Sequence, residues 1–197
     1  MSTADLELRE RAIVPKNMFG LILALCVEVM VFSGLLTSFV VLKYHQVVWP
    51  PVDQPRFPVY VTAINTLIII FSGIAWNRIF KFKDNANRAE AAKFALISVL
   101  FMMTFFVVQG VEWFMLFKHG LTLSDGVYGG IFCTIIGFHA VHVVIAIITL
   151  LITRNKILNT NIDDVKLFGS DGILNLVRLY LWFVIGVWPC IFAIVYF

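Results

Sequence analysis

Residues 124–148 read SDGVYGGIFCTIIGFHAVHVVIAII, a polar turn followed by a long apolar run. The run is long enough to cross a bilayer as an α-helix, which takes about 20 residues. His139 and His142 lie in its middle, three residues apart and therefore on one face of the helix. Polar side chains at that depth are costly unless they have partners. The stretch predicts a transmembrane helix whose neighbours must supply those partners.

The composition of the whole chain indicates a membrane protein. Hydrophobic residues make up 60% of the 197 residues and charged residues 14%, whereas soluble domains usually hold about 45–50% apolar residues. We predict an all-α integral membrane bundle of five transmembrane helices, preceded by an N-terminal tail over residues 1–18. The predicted spans are residues 19–41, 59–80, 95–117, 128–152 and 176–197.

The distribution of positive charge predicts how the bundle is oriented. Twelve of the 15 Lys and Arg residues fall in the N-terminal tail and in the two loops on the same side of the predicted bundle. Because loops rich in Lys and Arg stay on the cytoplasmic side, this side is predicted to face inward. The N-terminus is then inside and the C-terminus outside.

Several classes of function lack support in the sequence. No basic run interleaves with aromatic residues, so the sequence does not support a nucleic-acid partner and we predict none. No nucleophile elbow, phosphate loop, zinc motif or haem-attachment motif occurs, so we predict no catalytic residues and a role as a non-catalytic subunit or a carrier. The three cysteines, which share no metal-ligand spacing, are interpreted as packing residues: Cys26, Cys133 and Cys190.

One pair of polar residues is predicted in the inner half of the membrane. Glu28 lies roughly 13 Å from the inner end of its span, and His142 lies roughly 15 Å from the inner end of its own, at 1.5 Å per residue. A contact between them would lower the cost of burying both side chains. The alternative is a protonated Glu28 bonded to a backbone carbonyl.

A second polar group is predicted in the outer half. Gln109 and Glu112 share a face of the third span, and Asn65 lies at a similar depth in the second. These residues are predicted to form an interhelical hydrogen-bond cluster that joins the helices. A role with protons or a substrate is the alternative.

The two central histidines also raise the question of a metal or haem. The other histidines, His45 and His119, lie near outer span ends, so no second imidazole is available at matching depth. Further metal ligands could come only from Glu28 or Glu112. We therefore predict that His139 and His142 form a satisfied polar pair linking helices, and that the chain binds no metal or other cofactor through them.

The opposite side of the same helix carries small residues at intervals of four. Such rows allow close approach between helices. The sequence therefore predicts that both sides of this helix contact protein, deep in the bundle. The two rows are Gly126, Gly130 and Thr134, and Gly129, Cys133 and Gly137.

Five short motifs resemble one family. They are EVMVF at 28–32, INTL at 64–67 followed by Ser72, QGVEW at 109–113, SDGVYG at 124–129 and GFHAVHV at 137–143. In this order and spacing they resemble subunit III of the haem–copper respiratory oxidases, in a five-helix form without the family's first two helices. The last span departs, because Trp182 and Ile185 stand where the family has a histidine and an aspartate. The chain is thus similar to a divergent member.

The resemblance implies a function that composition does not show. A subunit III carries no haem or copper itself, since these lie in partner subunits, and it packs against catalytic subunit I. It binds phospholipid in a cleft between its helices and supports proton uptake at the inward-facing entrance. The family's acidic residue corresponds to Glu28, and its helix-linking residues to Glu112, His139 and His142.

The resemblance also implies a bacterial inner membrane and an electron donor, either cytochrome c or quinol, that this chain does not reveal. Two other interpretations remain open. One is the related accessory subunit of nitric oxide reductases, which shares the five-helix pattern. The other is a small membrane carrier or cytochrome that uses the intramembrane histidines and glutamates directly.

Overall fold

The computed structural model describes residues 16–45, 59–82, 88–118, 126–159 and 172–196. These residues form five long α-helices and one short 3-10 turn, and this part of the chain contains no strand. The prediction of an all-α bundle with five helices able to span a membrane is confirmed. The helices are α1 (Lys16–His45), α2 (Val59–Arg78), α3 (Arg88–Lys118), α4 (Gly126–Asn159) and α5 (Ile173–Tyr196), with the 3-10 turn Ile79–Phe82 after α2.

Some helices extend beyond the predicted spans. Helix α3 begins at Arg88, seven residues before the predicted start, and α4 continues to Asn159. The predicted bounds marked where the apolar residues stop, whereas Ala, Glu and Lys continue a helix readily in a polar setting. The first turns of α3 carry an ion pair between Glu90 and Lys93 at 3.7 Å. Most of the predicted tail lies outside the described residues, and α1 begins at Lys16.

Helices α2 to α5 form the body of the bundle, and α1 lies on one side of it. The closest pair is α2 with α3, while α4 contacts α3 and α5, and α5 also contacts α2. Helix α1 packs against α4 and α5 and is the least buried of the five. The core is mostly large apolar side chains, among them Phe39, Ile69, Trp76, Phe105, Phe132 and Trp188.

Small side chains explain the close packing of α2 on α3. Ser72 is fully buried, and its hydroxyl donates to the backbone oxygen of Ser98 at 2.9 Å. The two serine hydroxyls lie 3.1 Å apart. Ala91 and Ala95, near the start of α3, are likewise fully buried. Two helices can approach this closely because serine and alanine occupy little volume and the serines satisfy each other's polar atoms.

Three of the small residues of α4 do not pack as predicted. Thr134 and Gly137 are exposed, and no atom of the described chain lies within 4 Å of the position that a Cβ would take on Gly130 or Gly137. The predicted close approach is therefore absent at Gly130, Thr134 and Gly137 in the described bundle, whereas Gly129 is buried and Cys133 packs partly against the core. The physical reason is that the contacts of α4 with α1, α3 and α5 involve its histidine-bearing side.

The cysteines also differ from the packing interpretation. Cys133 is partly buried against the core, but Cys26 and Cys190 are exposed on the outside of the bundle. The sulfur of Cys190 lies 3.7 Å from the backbone oxygen of Gly186, one turn earlier in α5. Cys26 and Cys190 lie on the sides of their helices that face out of the bundle, so their thiols take no part in the core.

The two residues that depart from the family pattern both lie against α2. Ile185 is buried, and its terminal methyl carbon is 2.6 Å from the position that a Cβ would take on Gly73. An atom of the Trp182 ring is 3.2 Å from the same position. The Trp182 ring nitrogen donates to Oδ1 of Asn77 at 3.4 Å. Gly73 thus leaves the space that these two larger side chains fill.

Candidate functional site

The inner pair predicted from depth is present in the structure. Nε2 of His142 lies 3.5 Å from Oε2 of Glu28, which brings α4 and α1 together at this point. This is within ion-pair distance, although Oε2 has no hydrogen-bond partner among the described residues. The His142 side chain is 8% exposed and that of Glu28 is 33% exposed. The histidine is therefore buried, and the glutamate side chain is partly exposed although its Oε2 is buried.

Aromatic side chains hold the His142 ring in place. The rings of Phe32, Phe138 and Phe183 surround it, with centroids 4.9–5.9 Å away. Nδ1 of His142 lies 2.8 Å from the backbone oxygen of Phe138, one turn earlier in α4. Tyr180 donates from its hydroxyl to the backbone oxygen of His142 at 3.2 Å. This packing orients Nε2 towards Glu28.

The outer group forms a hydrogen-bond network that is larger than predicted. Asn65 donates from Nδ2 to Oε1 of Gln109 at 3.1 Å, and Gln109 donates from Nε2 to Oε2 of Glu112 at 3.1 Å. Glu112 also accepts hydrogen bonds from Thr62 at 2.7 Å and from Tyr196 at 2.8 Å. All five residues are buried. Their network joins α2, α3 and α5, and we call it the outer network.

Two members of the outer network were missed by the sequence analysis. Thr62 lies three residues before Asn65 on α2, so its position on the same face could have indicated it. Tyr196 lies 84 residues from Glu112 in the chain, and no local spacing connects the two. Trp188, whose ring nitrogen donates to Thr66 at 2.9 Å, was missed for the same reason.

His139 differs from the satisfied polar residue that was predicted. It is 1% exposed, and neither ring nitrogen has a hydrogen-bond partner among the described residues. Its ring stacks on Trp188, with centroids 5.2 Å apart and 26° between the planes. Phe32 and Phe105 approach it edge-on at 6.4 and 6.3 Å. His139 therefore links α4 to α1, α3 and α5 through ring contacts and not through hydrogen bonds.

No group of three or more His, Cys, Asp or Glu side chains within the five described segments is arranged to hold a metal ion. Of the other histidines, His45 is exposed at the end of α1 and His119 lies outside the described residues. The six residues predicted as an intramembrane polar network thus fall into an inner pair, an outer network and an isolated histidine between them. Their part in function stays a prediction.

Two open grooves border α1. One, which we call the inner groove because it lies on the side predicted to face inward, has a volume of about 460 Å³ and lies between α1, α4 and α5. Its lining includes Leu21, Ile145, Ile152, Val177 and Tyr180. The other, of about 320 Å³, lies between α1 and α5 farther along the bundle. It is lined by residues that include Phe32, Ser33, Trp182 and Cys190. The side chains that line the inner groove are almost entirely apolar, which suits a hydrocarbon chain.

Comparison with known proteins gives consistent matches. Residues 7–197 match the family model described as cytochrome c oxidase subunit III. The chain is 28% identical over 197 residues to cytochrome c oxidase subunit 3 of Rattus norvegicus, and the match covers 93% of this chain and 70% of the rat protein. It is 27% identical over 188 residues to the same subunit of Osphranter robustus, covering 90% of this chain and 68% of that protein. It is 30% identical over 149 residues to the same subunit of Mycosarcoma maydis, and this match covers 75% of this chain and 52% of that protein.

Proposed function

The chain belongs to the cytochrome c oxidase subunit III family, and on this premise we propose how it works within an oxidase. A subunit III acts in a complex with other oxidase subunits, and this one is a multi-pass membrane protein. We propose that it packs against the catalytic subunit I, which carries the haem and copper, and that it binds no cofactor of its own. Its contribution is to stabilise the oxygen-reducing subunit and to shape the lipid and proton environment around it.

The observation that carries the proposal is the arrangement of the family motifs in space. Motifs from separate helices meet at two places. EVMVF on α1 and GFHAVHV on α4 meet at the contact between Glu28 and His142. INTL on α2 and QGVEW on α3 meet at the contact between Asn65 and Gln109. If the chain resembled the family only in its apolar composition, polar residues from separate motifs would not be expected to pair across helices.

We propose that Glu28 supports proton uptake. Its side chain is about one-third exposed on the outside of the bundle, although Oε2 is buried beside His142, whose side chain is 8% exposed. A carboxylate at that depth can exchange protons only if water or a polar partner reaches it, because charge in hydrocarbon is costly. We therefore propose that a polar group of a partner subunit or water meets the exposed part of the Glu28 side chain.

We propose that the inner groove holds the acyl chain of a phospholipid. Its lining is apolar and it lies at the ends of α4 and α5 that are predicted to face inward. Arg154, one residue after the lining residue Thr153, has a buried Nε with no hydrogen-bond partner among the described residues. A guanidinium beside an acyl groove suits a phosphate headgroup because it can donate two parallel hydrogen bonds.

The host membrane and the electron donor are part of the proposal. The relatives named above are from two mammals and a fungus, so the bacterial inner membrane stays a prediction, as does the inward N-terminus. The electron donor, cytochrome c or quinol, docks on another subunit. The nitric oxide reductase accessory subunit and the small membrane cytochrome are the alternative functions that an experiment must exclude.

The proposal is tested by removing the chain from its complex. Oxygen consumption would be followed over many turnovers in membranes of the natural host, with and without the gene for this chain, and again after the gene is restored. We expect the oxidase lacking the chain to assemble less completely and to lose activity faster during turnover. Equal yield and equal decay of oxygen consumption in the two membranes would contradict the proposed role.

A further inference from the structure

The two ring nitrogens of His142 have different partners, and this difference fixes where the ring carries its hydrogen. Nδ1 lies 2.8 Å from the backbone oxygen of Phe138. A carbonyl oxygen can only accept a hydrogen bond, so Nδ1 carries a hydrogen and donates it. In a neutral imidazole one nitrogen is a donor and the other an acceptor. The neutral form of His142 therefore turns the lone pair of Nε2 towards Oε2 of Glu28, which lies 3.5 Å away.

The packing around the ring of His142 preserves this orientation. A half-turn of the ring would place a carbon atom against the Phe138 carbonyl and lose the hydrogen bond of Nδ1. The rings of Phe32, Phe138 and Phe183 surround the imidazole with centroids at 5.5, 4.9 and 5.9 Å. In so closely packed a site, these side chains would have to move for the ring to turn. Nε2 thus stays on the side of Glu28.

The carboxyl group of Glu28 has no donor in the bundle that could satisfy a bare carboxylate. Oε2 is buried without a hydrogen-bond partner, and no Lys or Arg of the described segments lies within ion-pair distance of Glu28. The other titratable groups near His142 are Tyr180 of α5, which donates to a backbone oxygen, and His139 of α4, which is enclosed by aromatic rings. A carboxylate oxygen facing the Nε2 lone pair would leave two buried acceptors unsatisfied, which is costly.

We propose that Glu28 and His142 form one proton-binding site that holds a single proton between Oε2 and Nε2. The proton is carried either by the carboxyl group, which then donates to Nε2, or by Nε2, which then pairs with the carboxylate. In both forms the pair is neutral overall and the two facing atoms satisfy each other. Because the two groups interact directly, the proton belongs to the pair and not to either residue. His142 is thus a positioning residue, whose backbone contact through Nδ1 leaves Nε2 to share the proton of Glu28.

This site deepens the proposed role of Glu28 in proton uptake, and its use by the oxidase rests on that role. One proton, delivered by water or by a polar group that reaches the exposed part of the Glu28 side chain, binds between the two atoms and leaves by the same route. No electron is transferred, and no bond between heavy atoms forms or breaks. The loaded pair is neutral, so holding the proton places no net charge in the apolar part of the bundle, where charge is costly.

The test is solid-state NMR of the intact oxidase complex near neutral pH, with isotope labels in the histidine rings and in the glutamate carboxyl groups. We expect Nδ1 of His142 to carry a hydrogen, and one further proton to lie on either Nε2 or the Glu28 carboxyl group. As the pH is raised, the signals of the two groups should change together in one step. A bare Nδ1, a carboxylate beside a bare Nε2 near neutral pH, or two independent titrations would overturn the proposal.

A pair of variants adds a matched comparison. Glu28→Gln keeps the shape of the side chain, and its amide can donate to Nε2, so His142 should stay neutral with its hydrogen on Nδ1 and lose its response to pH. Glu90→Gln is the control, at a carboxylate paired with Lys93 near the start of α3, and should leave the His142 signals unchanged. A His142 that titrates in Glu28→Gln as it does in the unaltered complex would overturn the shared site.

The shared proton and the proposed function can fail separately. If Glu28→Gln sustains normal oxygen consumption while the unaltered complex shows the shared proton, the uptake role of Glu28 fails and the proton-binding site stands. If the NMR signals show no shared proton, the site is overturned whatever the variant does to turnover. The measurement on the unaltered complex decides the proposal even where Glu28→Gln does not assemble.

Discussion

The hydroxyl of Tyr196 donates a hydrogen bond of 2.8 Å to Oε1 of Glu112 and so ties the end of α5 to α3. The same carboxylate oxygen accepts from Thr62, which adds α2 to the contact. Gln109 donates to the Tyr196 hydroxyl at 3.2 Å as well as to Glu112. Three helices thus meet at one buried carboxylate, and the donors around it satisfy both of its oxygens.

We expect Tyr196→Phe to weaken the bundle because it leaves Glu112 and Gln109 each short of a partner. Hydrogen bonds to charged groups contribute about 1.5–3 kcal/mol and neutral ones about 0.5–1.5 kcal/mol, so the free energy of unfolding should fall by about 1–3 kcal/mol. Tyr60→Phe is the matched control, since Tyr60 is 87% exposed. Unfolding of the purified chain in detergent would measure both. An equal effect of the two changes would show that the hydroxyl of Tyr196 contributes nothing specific.

We expect Glu28→Gln to shorten the period over which the oxidase sustains its turnover, with little change in the amount of assembled complex. The change removes the ionisable group and leaves a side chain of the same shape against His142. Glu90→Gln, at a carboxylate outside the apolar part of α3, serves as the control. The measurement is oxygen consumption over repeated substrate additions. If activity and inactivation match the unaltered complex, Glu28 has no part in proton supply.

We expect Gly73→Ala to destabilise the bundle, because the added Cβ would meet the Ile185 methyl at 2.6 Å and the Trp182 ring at 3.2 Å. Overpacking of this kind costs about 1–3 kcal/mol of unfolding free energy. Ile185→Val removes the methyl that is in the way, so the double variant should recover part of the loss. A double-mutant cycle of unfolding free energies measures the coupling. Additive effects of the two changes would mean that Gly73 and Ile185 do not constrain each other.

We expect two substitutions of Ser72 to differ in size of effect. Ser72→Ala removes a hydrogen bond to Ser98, and such bonds between membrane helices average about 0.6 kcal/mol. Ser72→Val adds volume at a fully buried site between α2 and α3 and should cost about 1–3 kcal/mol. Thermal unfolding of the two variants checks the order. If Ser72→Ala proves the more harmful, the hydrogen bond and not the close approach stabilises this contact.

The sequence predicted those parts of the fold that depend on a single segment. Run length and apolar content predicted five helices, and helical spacing placed Gln109 and Glu112 on one face. Depth counted along two helices was sufficient to pair Glu28 with His142. Each of these inferences needs only a helix of known rise and a membrane of known thickness.

What the sequence could not predict depends on which faces of the helices meet. The small-residue rows of α4 have the spacing of a close contact, but Thr134 is exposed and no atom of the described bundle lies beside Gly130 or Gly137. The addition of Tyr196 to the outer network, and the filling of the space beside Gly73 by Ile185, each require α5 to be placed against α2 and α3. Such contacts join residues far apart in the chain, and no local pattern encodes them.

The most direct measurement is purification of the full-length tagged chain from membranes of its natural host in a mild detergent, followed by mass spectrometry, metal analysis and optical spectra. We expect the large haem- and copper-bearing oxidase subunits to purify with it and the complex to reduce oxygen, while the separated chain shows no Soret band. A Soret band from the separated chain, or a nitric oxide reductase as its partner, would contradict its assignment as an oxidase subunit III.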